Sequence, residues 1–201
     1  MKLRFLALVV GLVVFAGSAY AQIGIYVGPN FTHISNSQAD TGTFAFLGSG
    51  NTSKMFSGAD FGVYDQFWHG QSVDAGADMR VNIQRGAGAH LNEFLIGARV
   101  AAAHPMAWSL KPYGELLGGE GSTNPATNPV SRSKATFAIM GGVEKPLGKH
   151  VDWRVIEVGY GSLQTVSTGL VTGAANPPGS STLINFSTGI VFRFPEKKLI
   201  P

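Results

Sequence analysis

Two groups of residues in this 201-residue chain have the types and spacing to do chemistry. The first is His33-Ile34-Ser35-Asn36, in which a histidine two residues from a serine could act as the base that activates a hydroxyl nucleophile. The second is a scattered set of carboxylates and guanidiniums: Asp60, Asp74, Asp78, Arg80, Glu93, Arg99, Glu115, Glu144, Glu157 and Arg193. These recur at alternate positions of otherwise apolar stretches, which suits a buried ion-pair network better than a catalytic dyad. The other histidines, His69, His90, His104 and His150, fall in or near connections and lack the co-ligands of a metal site. Gly48-Ser49-Gly50 and Gly86-Ala87-Gly88 lack the Lys-Ser/Thr pair of a phosphate loop. With no cysteine, disulfides, thiolate metal sites and a cysteine nucleophile are excluded. No cofactor is expected.

The elements that must position these residues are strands. Eight segments show period-two hydrophobicity: roughly residues 23–32, 56–67, 72–84, 93–103, 109–120, 135–145, 151–163 and 182–194. In the third, Val73, Ala75, Ala77, Met79, Val81 and Ile83 oppose Asp74, Gly76, Asp78, Arg80 and Asn82. In the fourth, Phe94, Ile96, Ala98 and Val100 oppose Glu93, Gly97 and Arg99. The second and sixth sort likewise. The last puts Ile184, Phe186, Ile190, Phe192 and Phe194 against Asn185, Ser187, Gly189 and Arg193. The fifth is ambiguous, because Lys111 and Glu115 share parity with Tyr113 and Leu117. In the seventh, Arg154 falls on the apolar parity, so it either snorkels at a rim or follows a β-bulge.

One apolar face and one polar face on most strands predicts lipid outside and a polar lumen inside. The connections agree. Those after segments two, four and six are short (68–71, 104–108, 146–150). Those after segments one, three, five and seven are expected to be longer (35–55, 85–92, 121–134, 164–181). Strict alternation of short and long connections is the asymmetry of an up-and-down barrel with short periplasmic turns. Tyr26, Phe31, Phe67, Trp68, Trp108, Trp153 and Phe194 lie near segment ends and could form interfacial girdles.

Residues 1–21 have the form of a cleaved export signal. Lys2 and Arg4 precede the apolar run from Phe5 to Ala16, and Ala19-Tyr20-Ala21 is a small-x-small cleavage site. Without Lys2 and Arg4, the 15 basic residues become 13 against 12 acidic ones, so the mature chain is nearly neutral. No basic patch argues for nucleic acid.

The mature chain resembles the eight-stranded outer-membrane barrels of the OmpA/OmpX type. The sharpest local match is Ser187-Thr188-Gly189-Ile190-Val191-Phe192-Arg193-Phe194, which is similar to the C-terminal signal read by the barrel-assembly machinery in that family. The resemblance implies an all-β, eight-stranded antiparallel up-and-down transmembrane β-barrel over residues 22–194, with Ser187, Gly189, Phe192 and Phe194 as assembly signal. It implies outer-membrane localisation, contact with outer-membrane lipid and lipopolysaccharide, and a structural, adhesion or surface-interaction role through the loops. Residues 195–201 would form a short periplasmic tail after Pro195, and the cell-wall anchoring of family members with a peptidoglycan-binding domain is not expected. His33-Ile34-Ser35-Asn36 is similar to the His-x-Ser-Asn of outer-membrane lipid A deacylases, although that motif lies late in those chains. The alternatives to a non-enzymatic barrel are therefore a lipid A deacylase-like hydrolase using His33 and Ser35, a narrow porin-like channel, or a soluble carrier of lipocalin type.

Overall fold

Alternation of large apolar and polar residues leaves each strand with one face for lipid and one for the interior. Closing the sheet on itself is the arrangement that leaves no unpaired backbone edge in hydrocarbon. The computed structural model describes residues 22–173 and 179–194, and there the chain does close. The strands are β1 (Gln22–Ser35), β2 (Ser53–His69), β3 (Val73–Gly86), β4 (Ala89–Ala102), β5 (Lys111–Asn124), β6 (Arg132–Pro146), β7 (Val151–Leu163) and β8 (Ser181–Phe194). Each pairs antiparallel with its sequence neighbours, and β8 returns to β1 with Ile23 opposite Phe194 and Ser35 opposite Thr182. The expected export signal (1–21) and periplasmic tail (195–201) lie outside the described residues.

The faces sort as the alternation requires. Ile25, Val27, Phe61, Val81, Ile96, Leu116, Ile139, Val158 and Phe186 point outward and are exposed. Asp78, Arg80, Arg99, Glu115 and Glu157 point inward and are buried. A belt of large apolar side chains right round a barrel is stable in lipid and not in water, which removes the soluble-carrier alternative. Strands of 13 to 17 residues exceed the ~9–11 that cross a bilayer at a tilt. Above the belt the outward positions turn polar, at Ser35, Arg85, Asn92, Ser122 and Ser133.

Three features differ from expectation. The β3–β4 connection is not long: Gly86 still pairs with Ala89, leaving the two-residue turn Ala87-Gly88. Both central residues have positive φ (43° and 81°), the conformation whose twist matches that of the flanking strands. It is tighter than the β4–β5 connection on the opposite side, so strict alternation of loop length fails there. Second, Arg154 is inside. The β7–β8 register slips between Arg154 and Glu157, opposite Gly189 and Ser187, so an extra residue lies between two inward side chains. That bulge reverses the parity that had put Arg154 on the lipid face. Third, Tyr26 is not a girdle residue but lies in the lumen, 2% exposed. The fifth strand's ambiguity resolves with Tyr113, Glu115 and Leu117 all inward.

Glycine placement explains how the lumen holds its tyrosines. Tyr26 lies directly opposite Gly62, and Tyr64 opposite Gly24. A Cβ on Gly62 would lie 2.1 Å from the Tyr26 ring, and one on Gly24 would lie 2.2 Å from the Tyr64 ring. Each ring therefore lies over a neighbour with no side chain, which frees its edge for the polar groups at the centre.

Candidate functional site

Inward side chains of an eight-stranded barrel are close enough to fill it. Around its middle, three arginines and three glutamates form a closed alternating ring. Arg80 grips Glu157 with two bonds, from Nη1 at 2.7 Å and from Nη2 at 3.0 Å, and its Nη2 also donates to Glu115. Arg99 Nη1 donates to Glu115 Oε1 at 2.5 Å, while its Nη2 lies 3.0 Å from Glu144 Oε2. Arg154 Nη2 donates to Glu144 Oε1 at 3.1 Å, and its Nη1 to Glu157 Oε2 at 3.3 Å, which completes the circuit. No member of the ring is more than 4% exposed.

The lumenal tyrosines and Ser187 add to the ring's contacts, although Arg99 Nε finds no hydrogen-bond partner among the described residues. Tyr26 donates to both oxygens of Asp78, whose Oδ1 lies 3.4 Å from Arg80 Nε. Tyr113 and Ser187 donate to Glu157 at 2.7 and 3.0 Å. The Arg99 guanidinium lies between the Tyr64 and Tyr113 rings, 4.2 and 3.9 Å from their centroids. Arg154 lies 3.9 Å from the Tyr26 centroid. Buried charges are costly unless paired and hydrogen-bonded, and these are both, with equal numbers of each sign in the ring.

Of the residues that alternation placed in the lumen, Asp78, Arg80, Arg99, Glu115, Glu144 and Glu157 meet here. Asp74 and Arg193 do not. Asp74 pairs with His69 at 3.1 Å, and Arg193 with Asp152 at 2.7 Å, both near the end of the barrel opposite the long 36–52 connection. Asp60 and Glu93 lie inward but outside the ring. Sequence reasoning did not assign Arg154 to the network, nor the three tyrosines. Its one signal for Arg154 was the broken parity between Arg154 and Glu157.

A second closure lies at the outer mouth. The long connection 36–52 folds back so that Phe46 and Leu47 enter the barrel, 0% and 2% exposed. They pack with Ile34, Phe56, Leu91, Leu163 and Leu183 from the strands, and with Val166 from the β7–β8 connection. Phe46 stacks on Phe56 at 5.0 Å between centroids. Burying the two side chains contributes roughly 1.5–3 kcal/mol each. The loops also bind one another. Thr168, at the start of the short helix α1 (Thr168–Thr172), donates from Oγ1 to Thr41 O at 2.7 Å and accepts from Phe44 N at 3.3 Å. Thr127 donates to Thr43 O at 2.8 Å. Asp40 accepts from Leu47 N and Thr41 N at 3.0 and 3.1 Å, and its burial raises its carboxyl above the ordinary value. The signal for this stopper in the sequence was Phe44-Ala45-Phe46-Leu47, a run of four apolar residues in a mostly polar loop.

His33 and Ser35 fall at alternate positions of β1, on the outward face, where they oppose Met55 and Ser53 of β2. No hydrogen bond joins them among the described residues. The terminal segment closes the barrel: Gly189 lies beside β1 so closely that a Cβ there would meet Val27 O at 2.6 Å. Phe192 and Phe194 face outward.

A closed eight-stranded antiparallel barrel with an apolar exterior and a charged lumen defines an outer-membrane β-barrel. Its size and connectivity are those of the small OmpA/OmpX-like barrels. Neither a protein-family model nor a curated protein matches the sequence. Among solved structures, the chain is similar to Neisserial surface protein A, with 13% identity over 86% of this chain and 97% of that one, at a TM-score of 0.53. It is similar also to Ail, the attachment invasion locus protein of Yersinia pestis, solved in complex with the heparin analogue sucrose octasulfate. There the identity is 12% over 87% of this chain and 99% of that one, at a TM-score of 0.50.

Proposed function

We propose that this protein is a non-conducting, non-enzymatic barrel of the outer membrane that acts through its surface loops. The observation that carries this reading is the double closure of the lumen by the arginine–glutamate ring and the Phe46–Leu47 stopper. A side-chain-filled barrel offers no aqueous path, and the mutually bonded outer loops offer a set surface.

That surface has a polar cleft of about 270 Å³, lined by Ser131, Arg132, Ser133, Lys134 and Leu170. Two cations with flanking hydroxyls suit sulfate or phosphate groups, and the Ail structure holds a polysulfated heparin analogue. The surface contact we propose is therefore with an anionic glycan. Export through residues 1–21, and recognition of Ser187 to Phe194 by the assembly machinery, belong to the same proposal.

Two measurements test it. Purified barrels reconstituted in planar bilayers are expected to show no stable conductance; steady channels would refute the closed-lumen reading and favour the narrow-porin alternative. Cells displaying the protein are expected to retain immobilised heparin, and Arg132→Ala/Lys134→Ala to lose most of that retention. Equal binding by both would exclude the cleft.

A further inference from the structure

Between the apolar stopper and the arginine ring, β1 to β4 carry an arc of polar side chains into the lumen. Asp60 pairs with Asn82, and Asn82 with Glu93, so the three stand in one row across the sheet. In the next row Asn30 and Gln84 flank Gly58, which puts no side chain between them. All five polar residues are at most 3% exposed. Buried amides and carboxylates are normally hydrogen-bonded. Here Asn30 and Gln84 find no protein partner for either amide atom, and neither Asp60 Oδ1 nor Asn82 Oδ1 finds one. Of these six atoms four are oxygens, so the arc is short of donors and positive charge.

The charge balance points the same way. Nine carboxylic side chains are buried among the described residues, against three arginines. The ring uses all three arginines on three glutamates, and Asp78 leans on Arg80. Asp74 has His69, Asp152 has Arg193, and Asp65 has an interaction of its own. Asp60 and Glu93 form no ion pair among the described residues, and Glu93 is held by the Asn82 amide at 3.1 Å. A carboxylate kept from water without a counter-charge is among the more costly groups a protein can bury.

We propose that this arc binds one hard divalent cation of the Ca²⁺ type. Asp60 is its anionic anchor, and Asn30, Asn82 and Gln84 supply neutral oxygens. The donors are all oxygen, with no sulfur or imidazole among them, which selects a hard ion over a transition metal. Side-chain amides of differing length around one or two carboxylates suit the irregular six- to eight-oxygen shell of Ca²⁺ better than the strict octahedron of Mg²⁺. The ion offsets Asp60 and Glu93 together and ties β1 to β4 across the lumen.

The test uses the mature protein refolded in detergent without lipopolysaccharide, so that no lipid phosphate competes for the ion. After chelation, equilibrium dialysis against radioactive Ca²⁺ is expected to give one ion per barrel. Asp60→Asn is expected to weaken binding at least tenfold, and Asp40→Asn, in the outer loop, to leave it unchanged. The temperature at which the compact electrophoretic form unfolds is expected to rise with Ca²⁺ in the wild type and stay constant in Asp60→Asn. Should that variant not refold, Asn30→Leu/Gln84→Leu removes neutral ligands with the charge intact, and weaker binding is again expected. No uptake by the wild type, undiminished uptake by these variants, or tighter binding of Mg²⁺ or Na⁺ than of Ca²⁺ would overturn the proposal.

Discussion

Replacing Arg99 with methionine tests the arginine–glutamate ring at a single link. Arg99 is 1% exposed and is the sole bridge in the ring between Glu115 and Glu144. Without it Glu115 keeps only Arg80, and Glu144 keeps only Arg154. Two charge-assisted contacts at about 1.5–3 kcal/mol each are lost, together with the stacking on Tyr64 and Tyr113. The apolar methionine chain recovers part of this between the same two rings. Removing one partner of a buried ion pair typically costs about 3–5 kcal/mol, because it leaves charge without compensation, and Arg99→Met is expected in that range. Urea unfolding in micelles, followed by tryptophan fluorescence, would measure it. The diagnostic arm is the double variant Arg99→Met/Glu115→Gln. Deleting the stranded charge should restore about 1–3 kcal/mol relative to additivity, as expected for residues in one network. A single-variant loss below about 1 kcal/mol, or strict additivity, would refute the ring as the element that closes the lumen.

Three further outcomes follow from the geometry. Gly62→Ala puts a Cβ 2.1 Å from the Tyr26 ring, which must swing away from Asp78. The expected loss is about 1–3 kcal/mol, read as a lower urea midpoint, and a neutral result would mean that the ring does not rest on the glycine. Burial raises the Asp40 carboxyl, so the folded outer loop takes up a proton before the unfolded loop does. Loop closure should therefore strengthen as pH falls through that raised value and stop gaining below the ordinary carboxylate range. Limited proteolysis of 36–52 would show protection increasing at lower pH in the wild type and flat in Asp40→Asn; the opposite slope would reverse the assignment. Phe194→Ala should slow insertion in cells while leaving unassisted refolding in detergent nearly unchanged, because Phe194 faces outward at 55% exposure. Equal defects in both assays would make it a stability residue rather than an assembly signal.

Period-two alternation was enough to give eight strands, their antiparallel order, and the inward face of most of them. The reason is that lipid and lumen impose opposite chemistry on successive residues of a strand. Asp78, Arg80, Arg99 and Glu157 were legible as lumenal on that ground alone, and closure of β8 on β1 followed because an open edge is untenable in a membrane. Alternation says which way a side chain faces but not what it meets. Glu115 and Arg80 are 35 residues apart and Arg80 and Glu157 are 77 apart, so only the closed register brings them within bonding distance. Arg154 needed the bulge before Glu157, a single extra residue that parity counting cannot place. The Ala87-Gly88 turn depended on backbone torsion, which composition does not report. The stopper at the mouth depended on a long loop folding back onto an apolar surface assembled from five strands. What the sequence decided by itself is the barrel and its two faces, because both follow from local chemistry repeated along each strand. What the tertiary structure decided is the arginine–glutamate ring and the loop folded into the mouth, because both depend on which residues, distant in the chain, are brought to the same height inside the barrel.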